Sequence, residues 1–144
     1  MKAVEINQTG APEVINLKDI SLEKPNPDEV TIEQKAIGLN YIDTYHRSGL
    51  YPLKLPSGLG LEGAGIIIEV GSNVTNFKAG DKVAYAAIPL GSYSTHRNFP
   101  AAKLVKIPNG VDFDVAATLM TKGLTTYYLL HQTYKVKEGE TILF

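Results

Sequence analysis

Between Glu29 and Ala36 the chain alternates in face: Val30, Ile32, Gln34 and Ala36 fall on one side, Thr31, Glu33 and Lys35 on the other. That period of two is the pattern of a half-buried strand, whereas an amphipathic helix would repeat its apolar positions every three to four residues. Short apolar segments of similar length recur as far as Ile107, with 13 glycines and 8 prolines scattered as single punctuation rather than gathered into a linker. Turn-connected strands are the architecture this punctuation permits.

The spacing predicts further strands over Lys2–Ile6, Val14–Ile20, Leu61–Val70, Asp81–Ala87, Tyr93–Asn98 and Lys103–Ile107. In the glycine-rich Leu61–Val70 run, Gly63 and Gly65 read as strand and bulge positions where another backbone comes close. Two segments read as helical. Tyr41–Arg47 follows Asn40, a capping residue, and carries Asp43 in its first turn, where a carboxylate meets the positive helix end. Asp112–Gln132 carries Val115, Leu119, Gly123, Tyr127 and Leu130 along one stripe, expected to face a core. Many strands before one long helix predict a mostly β barrel or sandwich with peripheral helices, not an alternating doubly wound domain.

With 144 residues and 44% hydrophobic content, the chain suffices for one globular core. Fourteen Lys and Arg against 15 Asp and Glu, a net charge of -1, give no footprint of a nucleic-acid groove or a polybasic membrane contact. The absence of cysteine excludes disulfides, a thiol nucleophile and thiolate metal sites, and fits a reducing compartment such as the cytoplasm. No secretory leader or membrane-length apolar run is read. His46, His96 and His131 have no ligand-pair spacing and belong to no nucleophile triad. The final residues, Glu140 to Phe144, read as a new strand with no partner in the preceding pattern, so a domain boundary is expected there.

The runs Asn40-Tyr41-Ile42-Asp43-Thr44-Tyr45-His46-Arg47-Ser48-Gly49-Leu50-Tyr51-Pro52 and Pro56-Ser57-Gly58-Leu59-Gly60-Leu61-Glu62-Gly63-Ala64-Gly65 resemble the quinone oxidoreductases related to zeta-crystallin, in the medium-chain dehydrogenase/reductase superfamily. The resemblance continues through Val70–Val74, Ala79–Val83, Gly91-Ser92-Tyr93-Ser94 and Lys122–Tyr128, and so covers nearly the whole chain. It implies a GroES-like, partly open β barrel over residues 1–138, the substrate-binding domain. Residues 139–144 would be the first strand of a nucleotide-binding Rossmann domain whose glycine-rich phosphate turn lies outside this sequence.

The resemblance further implies NADPH as cofactor, a quinone or related small carbonyl compound as substrate, and a homodimeric complete protein. Tyr41, Ile42, Asp43, Thr44 and Tyr45 are implied beside the nicotinamide end, with Asn40 supporting that loop. Asn40 and Asp43 have an equally good account as helix cap and first-turn acid. Tyr51, in a loop, could donate its hydroxyl to a substrate carbonyl or stack its ring, and could equally be an aromatic at a loop base. Lys122 and Thr126, four apart, share a helix face toward the domain cleft; Tyr128 faces elsewhere, yet the resemblance implies cofactor contact for it. Zinc alcohol dehydrogenases of the same superfamily carry a histidine where Leu61 stands and a cysteine on the earlier loop, where Asn40 to Asp43 offer an amide and a carboxylate. No metal is expected. Glu62 then reads as a carboxylate holding a loop or helix end, or as one shaping the cleft.

Hydride transfer from NADPH to a quinone is the activity implied. Reduction of an alkene conjugated to a carbonyl would use the same cofactor pose. A free-standing GroES-like interaction module, or a structural role of the lens-crystallin kind, is the reading from another class.

Overall fold

A computed structural model describes residues 1–143. Among them, eight strands form two open antiparallel sheets. The smaller holds β1 (Lys2–Ile6), β2 (Asn16–Asp19) and β4 (Ser57–Gly58) in the order β2-β1-β4. The larger holds β3 (Glu29–Gly38), β5 (Glu62–Val70), β6 (Lys82–Ala86), β7 (His96–Pro100) and β8 (Val105–Lys106) in the order β7-β3-β5-β6-β8. An Ala3–Ser94 bridge and a 2.8 Å bond from Val4 N–H to the Tyr93 carbonyl stitch the sheets together without closing them. The mostly β organisation agrees with the sequence pattern.

The alternation in β3 holds only in part: Thr31, expected on the other side, is buried as well, and a bulge turns Ala36 away from the face of Val30 and Ile32 toward a second cluster with Ala64 and Ala84. Val30 and Ile32 are fully buried and join Ile67, Val83, Tyr85 and Phe99 in the main core. Opposite β3, Gly65 pairs with Gln34 and Ala64 with Ala36, so Lys35 is the extra residue of a bulge facing the predicted glycine. Arg97, buried on β7, lies over the Phe99 ring and donates to the Pro89 and Leu90 carbonyls, the first at 2.7 Å. It thereby holds the loop that precedes Gly91–Tyr93.

Helix α1 (Tyr41–Ser48) matches its sequence assignment, with a capping box at its start and a left-handed Gly49 at its end. Helix α2 (Phe113–Tyr127) starts after Asp112 as expected but continues past Tyr127 as a wider π-type turn, Tyr128–Thr133. Its expected stripe is corrected by the structure: Val115, Leu119 and Tyr127 are exposed. The face laid on the sheet carries Ala116 and Ala117, packed with Ala64 and Ala84 and flanked by Phe113 and Met120. Small side chains let the helix lie close to the sheet, and that close approach, rather than the size of the apolar residues, decides which face is inward.

The strand expected over Val14–Ile20 is shorter, since Pro12–Val14 form a 3-10 turn ahead of β2. The strand expected over Tyr93–Asn98 begins only at His96 because Tyr93 to Thr95 bond across to β1. The strand read over Glu140 to Phe144 does not form over the described residues 140–143. There Glu140 closes a local turn, donating its N–H to the Lys137 carbonyl and accepting from Lys137 N–H and the Tyr134 hydroxyl. A strand needs a neighbouring edge to bond, and none lies beside this segment among the described residues. Phe144 lies outside them.

Candidate functional site

Where β3 ends, the chain turns outward at Leu39 and back inward at Asn40 before α1 begins, and these two residues separate an exposed apolar side chain from a buried amide. Gly38 pairs with Glu62 across the β3–β5 ladder. The place of Gly38 is dictated by α2: a Cβ there would collide with the Ala117 carbonyl oxygen and lie 2.6 Å from Glu62 Oε2. Glycine therefore brings the first turn of α1, the start of β5 and the middle of α2 to one point.

At that point Glu62 is fully buried. Its Oε2 accepts from Asn40 Nδ2 at 2.8 Å and its Oε1 from the Thr121 backbone N–H at 2.7 Å. The Lys122 ammonium lies 4.0 Å from Oε2 and donates to Asn40 Oδ1 at 3.0 Å and to the Leu39 carbonyl at 3.4 Å. A buried carboxylate is tolerated only when such donors satisfy it. One turn along α1, Asp43 is 3% exposed; its Oδ2 accepts the Asn40 N–H at 2.9 Å, which belongs to the capping box, and the Tyr93 hydroxyl at 2.8 Å. Burial, and then the Asp43 carboxylate, push the Tyr93 phenol well above its ordinary pKa. The Tyr93 ring rests against Gly60, where a Cβ would lie 2.5 Å from ring Cδ1 and where φ is +92°.

Outside this knot, the α1 side chains divide. Tyr41 is 82% exposed, Ile42 and Thr44 are half-buried, and the Thr44 hydroxyl donates to the Tyr41 carbonyl. Tyr45 meets Tyr51 edge to face, with ring centroids 5.5 Å apart, and Tyr51 also lies 5.9 Å from His46. Tyr51 thus packs onto the helix it follows, with its backbone N–H on the Tyr45 carbonyl. The hydroxyls of Tyr41, Tyr45 and Tyr51 bond to no described residue, so three free phenols lie along α1 and the loop after it. Thr126 donates to the Lys122 carbonyl and, with Leu129, Leu130 and Ile142, lines an apolar cavity of about 450 Å³; Tyr128 stands exposed beyond it.

The structure therefore gathers Asn40, Asp43 and Lys122 into one network, pairs Tyr45 with Tyr51, and leaves Thr126 apart near the end of α2 and Tyr128 in the π-type turn after it. Sequence reasoning missed Tyr93 and Thr121. Tyr93 lay within a recognised motif, but no spacing links it to Asp43, and Thr121 acts through its backbone, which carries no sequence signal. Among the described residues no three His, Cys, Asp or Glu side chains are grouped to hold a metal ion, and no helix is long and apolar enough to cross a membrane.

Residues 26–109 match the alcohol dehydrogenase GroES-like domain. The chain belongs to that family. Over 144 residues this GroES-like chain is 56% identical to a quinone oxidoreductase of Pseudomonas aeruginosa, covering 99% of itself and 44% of that protein. It is 42% identical over 147 residues to a 2-haloacrylate reductase of a Burkholderia species, covering 98% of itself and 44% of that relative. The Escherichia coli quinone oxidoreductase, solved in complex with NADPH, superimposes with a TM-score of 0.92 at 48% identity, over 95% of this chain and 42% of that one. The GroES-like chain thus spans less than half the length of the relatives it matches.

Proposed function

We propose that the protein serves NADPH-dependent reduction of quinones, with residues 1–138 as the substrate-side domain and residues 139–144 as the first strand of a nucleotide-binding domain. The observation that carries this reading is the free edge of α1. Phenols at 41, 45 and 51 bond to no described residue, and behind them a buried network fixes the turn from which they project. The likeness to a quinone oxidoreductase solved with NADPH supports the same reading.

The residues present fit a nicotinamide nucleotide. Tyr41 offers an exposed aromatic face, and Lys122 offers an ammonium whose position two acceptors set. When bound, NADPH supplies the hydride equivalents. The chain's own part is to bind and orient. Tyr41 and Tyr45 give a flat apolar surface for a planar ring, and the Tyr51 hydroxyl donates to a carbonyl oxygen of the acceptor. Asn40 and Asp43 hold the turn beneath, and Thr126 and Tyr128 meet the cofactor separately, at the end of α2 and in the turn that follows it. Asn40 turns both ends of its amide inward, to Glu62 and Lys122, so its contribution is support rather than substrate contact.

The reaction is proposed to need no zinc. Leu61 and Asn40 offer no metal-binding nitrogen or thiolate, and the Oδ2 oxygen of Asp43 is taken by Tyr93 and the helix cap. NADPH consumption with a benzoquinone, by protein expressed from the complete reading frame and without added metal, tests the reading. Turnover with less than stoichiometric zinc by elemental analysis is expected; zinc-dependent turnover, or none with any quinone, sinks it. The relationship to the 2-haloacrylate reductase favours a second reading, reduction of an alkene conjugated to a carbonyl. Relative rates on a quinone and an enone separate the two. A homodimer, in the cytoplasm, completes the proposal.

A further inference from the structure

Every hydrogen bond around Glu62 has a fixed direction. The Thr121 N–H is a donor and cannot be otherwise, the Lys122 ammonium is only a donor, and an ionised carboxylate is only an acceptor. Asn40, placed between Glu62 and Lys122, is the one group with both capacities. Its amide must therefore turn NH2 toward Glu62 Oε2, at 2.8 Å, and C=O toward Lys122 Nζ, at 3.0 Å. The opposite amide orientation would set donor against donor on one side and acceptor against acceptor on the other.

From this we infer that Glu62 is a positioning residue for the cofactor wall: through the Asn40 amide it sets where the Lys122 ammonium sits, and through the Thr121 N–H it ties that position to the backbone of α2. The inference rests on the proposed reading insofar as Lys122 faces NADPH. The relay itself rests on the hydrogen bonds alone. Without Glu62 the Asn40 amide is free to turn, and Lys122, whose side chain is 57% exposed, has solvent to swing into. The bond to the Leu39 carbonyl is longer, at 3.4 Å, and does not hold the ammonium by itself. The one negative charge of Glu62 is met by the one positive charge of Lys122, so both polarity and charge are balanced within four residues.

The direction of the relay gives it a specific test. Glu62→Gln sets an amide NH2 against the Asn40 NH2; if Asn40 flips to accept it, the flipped NH2 faces the Lys122 ammonium. Asn40→Asp sets two carboxylates against each other. Combining Asn40→Asp with Glu62→Gln exchanges the two groups. The new amide at position 62 accepts from the Thr121 N–H through its carbonyl and donates its NH2 to the new carboxylate at position 40, which in turn accepts from Lys122. All bonds are then restored at unchanged net charge. The experiment uses protein from the complete reading frame and measures Tm, and KM and kcat for NADPH and a benzoquinone, in wild type, both single variants and the double variant. Each single variant is expected to lower Tm and raise the KM for NADPH about tenfold, with a smaller change for the quinone. The double variant recovers more than half of both losses on a logarithmic scale for KM. A merely structural role would lower Tm and active protein without selecting the KM for NADPH. The inference is overturned if Glu62→Gln leaves that KM unchanged, or if the double variant is no better than the worse single one. Failure of the wild type to consume NADPH would remove the reading of function and with it the role toward the cofactor, while non-additive Tm values would still establish the relay.

Discussion

Tyr93 reaches from the loop ahead of β7 to the first turn of α1, where its hydroxyl donates to the buried Asp43 carboxylate, and its ring closes over Gly60. Tyr93→Phe keeps the ring and deletes the bond, so the expected loss is about 1–2 kcal/mol, the lower part of the range for a hydrogen bond to a charged group because the tyrosine is only half-buried. The bond also has a pH signature. Folding raises the Tyr93 pKa above its ordinary 10.0, so the folded state holds this proton more tightly than the unfolded one. The stabilisation is complete below pH 10 and is lost as pH rises from there toward the folded value. Melting curves from pH 8 to 11 should show the gap between wild type and Tyr93→Phe narrowing above pH 10. A gap that stays constant or widens would show that the hydroxyl does not serve as this donor.

At the scale of elements, the contact between β3, β5 and α2 is set by Gly38, and Gly38→Ala should cost about 1–3 kcal/mol or more, since the collision is with α2 backbone that cannot rotate away. Its Tm should fall further than that of Gly80→Ala, where the added methyl meets open space and only the positive φ resists. Equal losses would mean that α2 does not sit this close to the sheet. The same junction explains what the sequence could reveal. α1 was legible almost to the residue because its signals, Asn40 and Asp43, act within one turn of themselves. β3 was legible as a strand because Val30 and Ile32 enter the core at a period of two, whereas the bulge at Lys35 that turns Ala36 to the other face left the assignment of faces there wrong. The inward face of α2 was not, since alanines at 64, 84, 116 and 117 form the contact, and small residues carry little weight in a reading that looks for large apolar stripes. In the candidate site, Asn40, Asp43 and Lys122 were nameable from a resemblance, whereas their union through Glu62, Thr121 and Tyr93 depends on approaches between residues as many as 82 positions apart, which no local pattern encodes.

Among the described residues, burial and long-range hydrogen bonds are concentrated in the two sheets and the first part of α2, and they thin from Tyr128 onward. Beyond that residue the backbone bonds are made within the segment: Tyr134 N–H to the Leu129 carbonyl, Val136 to Leu130 and Glu140 to Lys137. Meanwhile Tyr128, Leu129, Tyr134 and Ile142 remain exposed. Apolar side chains left in water, on a segment held only by its own turns, give little resistance to local opening, because opening it uncovers almost no further apolar surface. Limited proteolysis of the 144-residue chain should therefore cut first between residues 128 and 143 and leave a resistant fragment ending near Tyr127. First cleavage in the exposed Leu50–Leu55 loop would contradict this. In protein from the complete reading frame the same bonds should become resistant if residues 139–144 enter a second sheet, since pairing and burial would then raise the local opening energy toward that of the core. Equal susceptibility in both forms would argue against a second domain seated on this end of α2, and with it against a cofactor cleft bounded by Lys122, Thr126 and Tyr128.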